Sequence, residues 1–104
     1  MEKRNSIRYH QEASLVCSIF NSGNQHEGNM KNFSKDGMYF EQNVFFKPGT
    51  AIALRIERCP FEAISPDIMD DLNMVALADV RWFQDFGEFT KPRFGYGVRY
   101  LHSF

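Results

Sequence analysis

Residues 30–40, MKNFSKDGMYF, decide the fold, because two short runs with apolar and aromatic residues flank a Lys-Asp-Gly turn. This pattern predicts a strand, a tight turn and a second strand. Asn32 and Ser34 are two residues apart on the first strand, so they share one face, whereas Phe33 points into the core. Gly37 can adopt a positive φ in the turn without strain. A plain hairpin does not require an amide and a hydroxyl on one face, so we interpret this pair as a polar platform for a ligand.

The rest of the chain shows the same succession of short strand and turn signals. In residues 51–57, AIALRIE, the side chains of Ile52, Leu54 and Ile56 face one way, as in a half-buried strand. Six such strands with little helix predict an all-β fold of the barrel or sandwich type. We predict a small six-stranded antiparallel β-barrel, because closure removes the edges of short strands. The predicted strands cover residues 14–20, 26–34, 38–42, 51–57, 74–83 and 94–101.

The chain is expected to consist of an N-terminal arm and one barrel domain. Residues 1–13 are polar and basic with little periodicity, which predicts an extended arm. Residues 14–104 contain all the predicted strands and form the barrel. Residues 58–73, RCPFEAISPDIMDDLN, combine two prolines with a run of acids, which indicates an irregular excursion with one helical turn.

Length and composition place the protein among ordinary globular domains. Its 104 residues suffice for one domain, and 43% hydrophobic residues supply a core. The net charge of −1 does not indicate a nucleic-acid polymer as partner. The sequence has neither a signal peptide at MEKRNSIR nor an apolar run of about 20 residues, so we expect a cytoplasmic protein without membrane insertion. Cys17 and Cys59 fit no CxxC spacing and are interpreted as reduced thiols.

The N-terminal stretch EKRNSIR carries a second group of candidate binding residues. Arg4 and Arg8 are four residues apart, which places both on one side in an extended arm or in a helical turn. Each guanidinium is a planar fork that fits a phosphate or the O6/N7 edge of guanine. Lys3 adds a third positive charge. Two guanidinium groups that face a polar platform would suit a compact phosphate ligand that contains guanine.

Together the two stretches resemble a known family. Arg4-x-x-x-Arg8, followed after 23 intervening residues by Asn32-x-Ser34-x-x-Gly37, resembles the two-part signature of PilZ domains. The order of strands up to ADVRW and the final YGVRYL is similar as well. The resemblance implies a six-stranded β-barrel that binds the bacterial second messenger cyclic di-GMP.

The resemblance also implies a role for each matching residue. Arg4 and Arg8 would hold phosphate and guanine, Asn32 and Ser34 would hydrogen-bond the ligand, and Gly37 would permit the turn. Lys3 occupies the position that in some members influences whether one nucleotide or a stacked pair is bound. Ligand binding would order the arm and relay the signal to an unidentified protein effector. With neither a C-terminal helix nor an attached output domain, the chain resembles a stand-alone member.

Other chemistries find little support in the sequence. The three histidines, His10, His26 and His102, share no metal-ligand spacing, so we expect no metal. No nucleophile is accompanied by a base and an orienting group, so we expect neither an enzyme nor a cofactor beyond the ligand. Trp82 and Phe83 are interpreted as core or barrel-rim packing in preference to a base-stacking platform.

Two alternatives to a cyclic di-GMP receptor stay open at the level of the sequence. The first is a PilZ-fold protein interaction module that binds no nucleotide. The second is a small barrel that binds single-stranded nucleic acid through the basic arm and surface aromatics. The net charge and the lack of a long basic stripe argue against the second alternative.

Overall fold

The computed structural model describes residues 7–59 and 72–103, which form six β-strands. In these two ranges no helix is long and apolar enough to cross a membrane. The helical turn predicted within 58–73 falls on residues 60–71, which lie outside the described ranges, as do Lys3 and Arg4. The strands are β1 (Tyr9–Ile19), β2 (His26–Phe33), β3 (Gly37–Gln42), β4 (Ala51–Arg58), β5 (Val75–Asp85) and β6 (Phe94–Ser103).

The six strands close into an antiparallel barrel in the order β1-β2-β3-β6-β5-β4. Closure is made by β1 and β4, which pair from Leu15 opposite Ile56 to Ile19 opposite Ile52. Every strand therefore has two hydrogen-bonded neighbours, and the sheet has no open edge. The predicted fold class is confirmed.

The core follows from the alternation of side chains along the strands. Ile52, Leu54 and Ile56 of β4 are all buried, as their spacing predicts. Phe33, Phe40 and Tyr96 are among the largest fully buried side chains. Burying a side chain of this size contributes about 1.5–3 kcal/mol to folding, so apolar packing is the main stabilising term.

The first strand starts earlier than predicted. We expected β1 to cover 14–20, but it begins at Tyr9, so residues 9–13 of the predicted arm are paired with β2. The physical reason is the partner strand: Tyr9 lies opposite Phe33, and the two rings are in contact, with centroids 5.3 Å apart. The polar residues of this segment point outwards, which hides the strand from a hydrophobic pattern.

Strand pairing gathers three chain segments at one end of the barrel. The start of β1 lies beside the end of β2, because Tyr9 pairs with Phe33. The turn 34–36 follows directly, and Gly37 at the start of β3 pairs with Arg99 near the end of β6. This end of the barrel therefore combines Arg8, Asn32, Ser34 and Gly37 of the predicted signature with part of β6.

Candidate functional site

A hydrogen bond joins the two sequence motifs. The Nη1 atom of Arg8 donates to Oδ1 of Asn32 over 2.9 Å. The bond is possible because His10, two residues further on, pairs directly with Asn32 across β1 and β2. Arg8 is otherwise exposed, and Asn32 is half-buried. Of the predicted site residues within the described ranges, these two are joined by a hydrogen bond between their side chains.

A β-bulge in β2 turns Asn32 outwards. Met30 pairs with Phe40 and Asn32 with Tyr39, so Lys31 is an extra residue on β2. Because an inserted residue reverses the alternation, Met30 and Phe33 both point into the core although they are an odd number of positions, three, apart in the sequence. The inward orientation predicted for Phe33 is confirmed, with none of its surface exposed.

Ser34 is built into the turn and is only 3% exposed. Its N–H donates to the carbonyl of Gly37 over 2.8 Å, and its Oγ accepts a bond from the N–H of Asp36 over 3.2 Å. The side chain therefore stabilises the turn. The bond to Asp36 uses the oxygen as an acceptor, so the hydroxyl hydrogen can still donate to a ligand.

Gly37 is required for a different reason from the one predicted. We expected a positive φ in the turn, but Gly49 and Gly87 are the glycines of the described residues that adopt one. Gly37 instead lies against β6: a Cβ atom there would be 2.0 Å from the carbonyl oxygen of Val98. The strand pair β3–β6 therefore approaches too closely for any side chain at this position.

Next to Asn32, two aromatic side chains cover the outer wall of the barrel. Tyr39 and Trp82 are stacked, with ring centroids 5.6 Å apart and an angle of 21° between the planes. They lie over bare backbone, because a Cβ at Gly95 would collide with the Tyr39 ring and one at Gly97 with the Trp82 indole. Trp82 is 49% exposed. The expectation that Trp82 could lie in the core is therefore wrong, whereas Phe83 packs against Phe45 and Phe94.

The Tyr39–Trp82 pair continues the row of side chains that contains Asn32. Cross-strand pairs run from Asn32 to Tyr39, from Tyr39 to Gly97, and from Gly97 to Trp82. Neighbouring strands are about 4.8 Å apart, so the row spans four adjacent strands within roughly 15 Å. Sequence reasoning missed this platform, whose rings lie over Gly95 and Gly97 of FGYG.

Tyr39 also contacts a carboxylate at the border of the platform. Its hydroxyl donates to Oε2 of Glu41 over 2.9 Å. Partial burial raises the pKa of Tyr39 to about 12, and the bond to Glu41 and its negative charge add to the rise. The phenol is therefore protonated at physiological pH, and the ring keeps its position beside Trp82.

Other site chemistry is sparse within the ranges that the structure covers. There, no group of three or more His, Cys, Asp or Glu side chains could hold a metal ion. Cys17 and Cys59 are free thiols, as expected, and both are buried. Burial raises the pKa of Cys17 to about 12, which leaves a thiol that is a poor nucleophile. The arrangement of a guanidinium, an amide, a hydroxyl and an aromatic surface is suited to binding.

Comparisons with known proteins agree with this fold. Among solved structures, the fold is similar to the Bacillus subtilis inhibitor of motility (MotI/DgrA), with a TM-score of 0.71 at 15% identity. The alignment covers 100% of this chain and 45% of that one, so the chain spans less than half of that protein's length. A search of curated proteins gave no significant match. The sequence profile of the PilZ domain matches residues 2–103. The chain therefore belongs to the PilZ domain family, which implies a function of the cyclic di-GMP receptor or effector type.

Proposed function

We propose that the protein is a receptor that binds cyclic di-GMP on the outer wall of the barrel, around Arg8, Asn32 and Ser34. The observation that carries the proposal is the hydrogen bond between Arg8 and Asn32, which unites the two motifs in one place. Family membership supports a binding module, and the proposal contains no catalytic step.

Each side chain supplies a distinct contact in this proposal. Arg8 is exposed and spends one of its five N–H donors on Asn32, so the remaining donors can hold a phosphate or a guanine edge. Asn32 keeps its amide donors, and Ser34 keeps its hydroxyl hydrogen. Gly37 acts indirectly, because it lets β3 lie against β6 and thereby fixes the turn that positions Ser34.

The Tyr39–Trp82 platform provides a stacking surface for a guanine base. The indole is half exposed, and the platform adjoins Asn32 through direct strand pairing. Stacking of a base on an aromatic side chain contributes about 1–3 kcal/mol. This contribution is comparable with that of one charge-assisted hydrogen bond, so the platform adds substantially to affinity.

The arm that precedes β1 closes over the ligand in this proposal. Arg4 would act with Arg8 on the phosphate and guanine, and Lys3 would add charge for a stacked pair of nucleotides. Closure would change the surface at this end of the barrel and so relay the signal to a protein effector.

Isothermal titration with cyclic di-GMP tests the receptor, with GTP as the control ligand. Replacing Arg8 by Ala should weaken binding by about 30-fold, equivalent to about 2 kcal/mol for a charge-assisted contact. Arg55→Ala is the matched control, because Arg55 is also exposed but lies on β4, which is not a neighbour of β2 or β3. Trp82 is the only tryptophan, so quenching of its fluorescence reports on the platform in the same samples.

The outcomes separate the candidate functions. The receptor would be supported if cyclic di-GMP gives saturable heat with the wild-type protein, if Arg8→Ala removes this heat, and if GTP gives none. The molar ratio would give the number of bound nucleotides. Wild-type affinity in Arg8→Ala would refute the proposed role of Arg8 in binding the ligand. Absence of heat with the wild-type protein would favour an interaction module that binds no nucleotide.

A further inference from the structure

Two arginines share one carboxylate on the far side of the Tyr39–Trp82 platform. Arg81 Nη1 lies 3.5 Å from Oδ2 of Asp79, and Arg99 Nε lies 3.8 Å from Oδ1 of the same residue. Both arginine side chains are at least half exposed, whereas that of Asp79 is 20% exposed. The group carries a net charge of +1 on the outer wall.

These contacts are long compared with other ion pairs of the same protein. Arg55 Nε lies 2.7 Å from Glu57, and Arg93 holds Asp85 through two bonds of 3.0 Å. At 3.5 and 3.8 Å the contacts to Asp79 are at or beyond the limit for a hydrogen bond. The Oδ1 atom of Asp79 is buried and has no hydrogen-bond partner among the described residues. The two guanidinium groups therefore keep most of their donors available.

Strand pairing places this group beside the proposed ligand site. Arg99 is the direct partner of Gly37 on one side and of Asp79 on the other. Arg81 is an extra residue in β5, because Val80 pairs with Val98 and Trp82 already pairs with Gly97. The bulge puts Arg81 on the outer wall next to Trp82. Arg99 is thus one strand away from the signature turn, and Arg81 borders the platform.

We infer that Arg81 and Arg99 form a second anion-binding element of the site, across the platform from Arg8. This inference rests on the proposed function. Cyclic di-GMP has two phosphate groups, so a second position of positive charge on the outer wall, separate from Arg8, can bind the second phosphate. Arg99 and Arg81 bind this second phosphate, while Asp79 holds both side chains on the outer wall as a positioning residue. The platform between the two cationic positions receives a base.

The experiment compares the double variant Arg81→Gln/Arg99→Gln with Arg55→Gln in titrations with cyclic di-GMP. Arg55 is the matched control, because it is an exposed strand arginine paired with a carboxylate two residues away, and its cross-strand partner Val75 lies seven residues before Trp82 on β5. The double variant should lose at least about tenfold in affinity, as for one charge-assisted contact. Its affinity should also depend less on NaCl concentration, because fewer exposed charges are screened. Arg99→Lys keeps the charge and should show an intermediate loss.

Thermal melts check that each variant is folded, and affinities are compared at a temperature at which all variants are folded, because loss of both arginines leaves the mostly buried Asp79 carboxylate without its ion pairs. Affinity of the double variant within twofold of Arg55→Gln would overturn the second element while leaving the receptor intact. A loss of equal size in Arg55→Gln would overturn it too, since the effect would then be one of overall charge. Failure of the wild-type protein to bind would refute the receptor and this inference together.

Discussion

Substitution of Gly37 by Ala tests the structural reason for the last glycine of the signature. A Cβ at this position would lie 2.0 Å from the carbonyl oxygen of Val98, whereas real Cβ contacts are essentially never shorter than 3.0 Å. The atom it meets is backbone, so no side-chain rotation can relieve the contact. The strands β3 and β6 must therefore separate locally by about 1 Å, the difference between these two distances.

The expected loss of stability follows from this displacement. Forcing an extra methyl group into packed surroundings costs about 1–3 kcal/mol. The displaced strands also strain two backbone bonds of 2.8 Å, from Tyr100 N–H to Asp36 and from Ser34 N–H to Gly37, each contributing about 1 kcal/mol. Ala reduces the entropy of the unfolded chain, which offsets about 0.4–1 kcal/mol. The net loss is about 2–4 kcal/mol, which lowers Tm by roughly 10–25 °C for a domain of this size.

Thermal unfolding followed by circular dichroism measures this loss, with Gly23→Ala as the control. Gly23 lies in the β1–β2 loop without a positive φ, and no heavy atom lies within 4 Å of the place that a Cβ would occupy. Ala should therefore be neutral or slightly stabilising there. If Gly37→Ala melts within about 3 °C of the wild-type protein, β6 can move away from β3 at little cost in stability. The close approach of the two strands would then not explain why a glycine occupies position 37.

Two further predictions concern the opposite end of the barrel. The Tyr96 hydroxyl accepts a hydrogen bond from the buried Phe46 N–H and donates one to the Val44 carbonyl, both over 2.7 Å. Tyr96→Phe leaves the Phe46 donor unpaired, which costs about 1–3 kcal/mol and should lower Tm by roughly 10 °C. An unchanged melting temperature would contradict this prediction. The bonds from Arg93 lower the pKa of Asp85, so the pair stabilises the folded state above about pH 4 and loses this effect as the pH falls. The Tm difference between wild type and Asp85→Asn should therefore be largest near neutral pH and vanish in acid, and a difference that grows in acid would contradict the assignment.

The fold was predictable because most strands keep a simple alternation. In β4 the inward residues Ile52, Leu54 and Ile56 follow one another at intervals of two, and turn residues bound the strand on its N-terminal side. β1 departs from this rule at its start. Its first residues, from Tyr9 to Glu12, are polar on the outside, and their strand conformation depends on pairing with the distant β2. The hydrophobic pattern of residues 9–12 alone therefore does not indicate that they pair with β2.

The signature half of the site was also predictable, since Asn32, Ser34 and Gly37 belong to one short stretch. The reason for Gly37 was not. Gly37 is fixed by its distance from Val98, a residue of the last strand, and this reason depends on the pairing of β3 with β6, which no local pattern reveals. Ser34, in contrast, is held by a local bond within the turn that it caps.

The platform could not be predicted because two bulges reverse the alternation where the site is built. In β5 strict alternation from the buried Val80 would place Trp82 inside, and the extra residue Arg81 turns it outwards instead. In β2 the extra residue Lys31 has the same effect on Asn32. The two bulged strands flank β3 and β6, so the redirected side chains meet over Tyr39 and the β6 glycines. A bulge is invisible in hydrophobic periodicity because it appears there as a single misplaced residue. The ligand site therefore depends on departures from the regular sheet, whereas the core depends on the regular part.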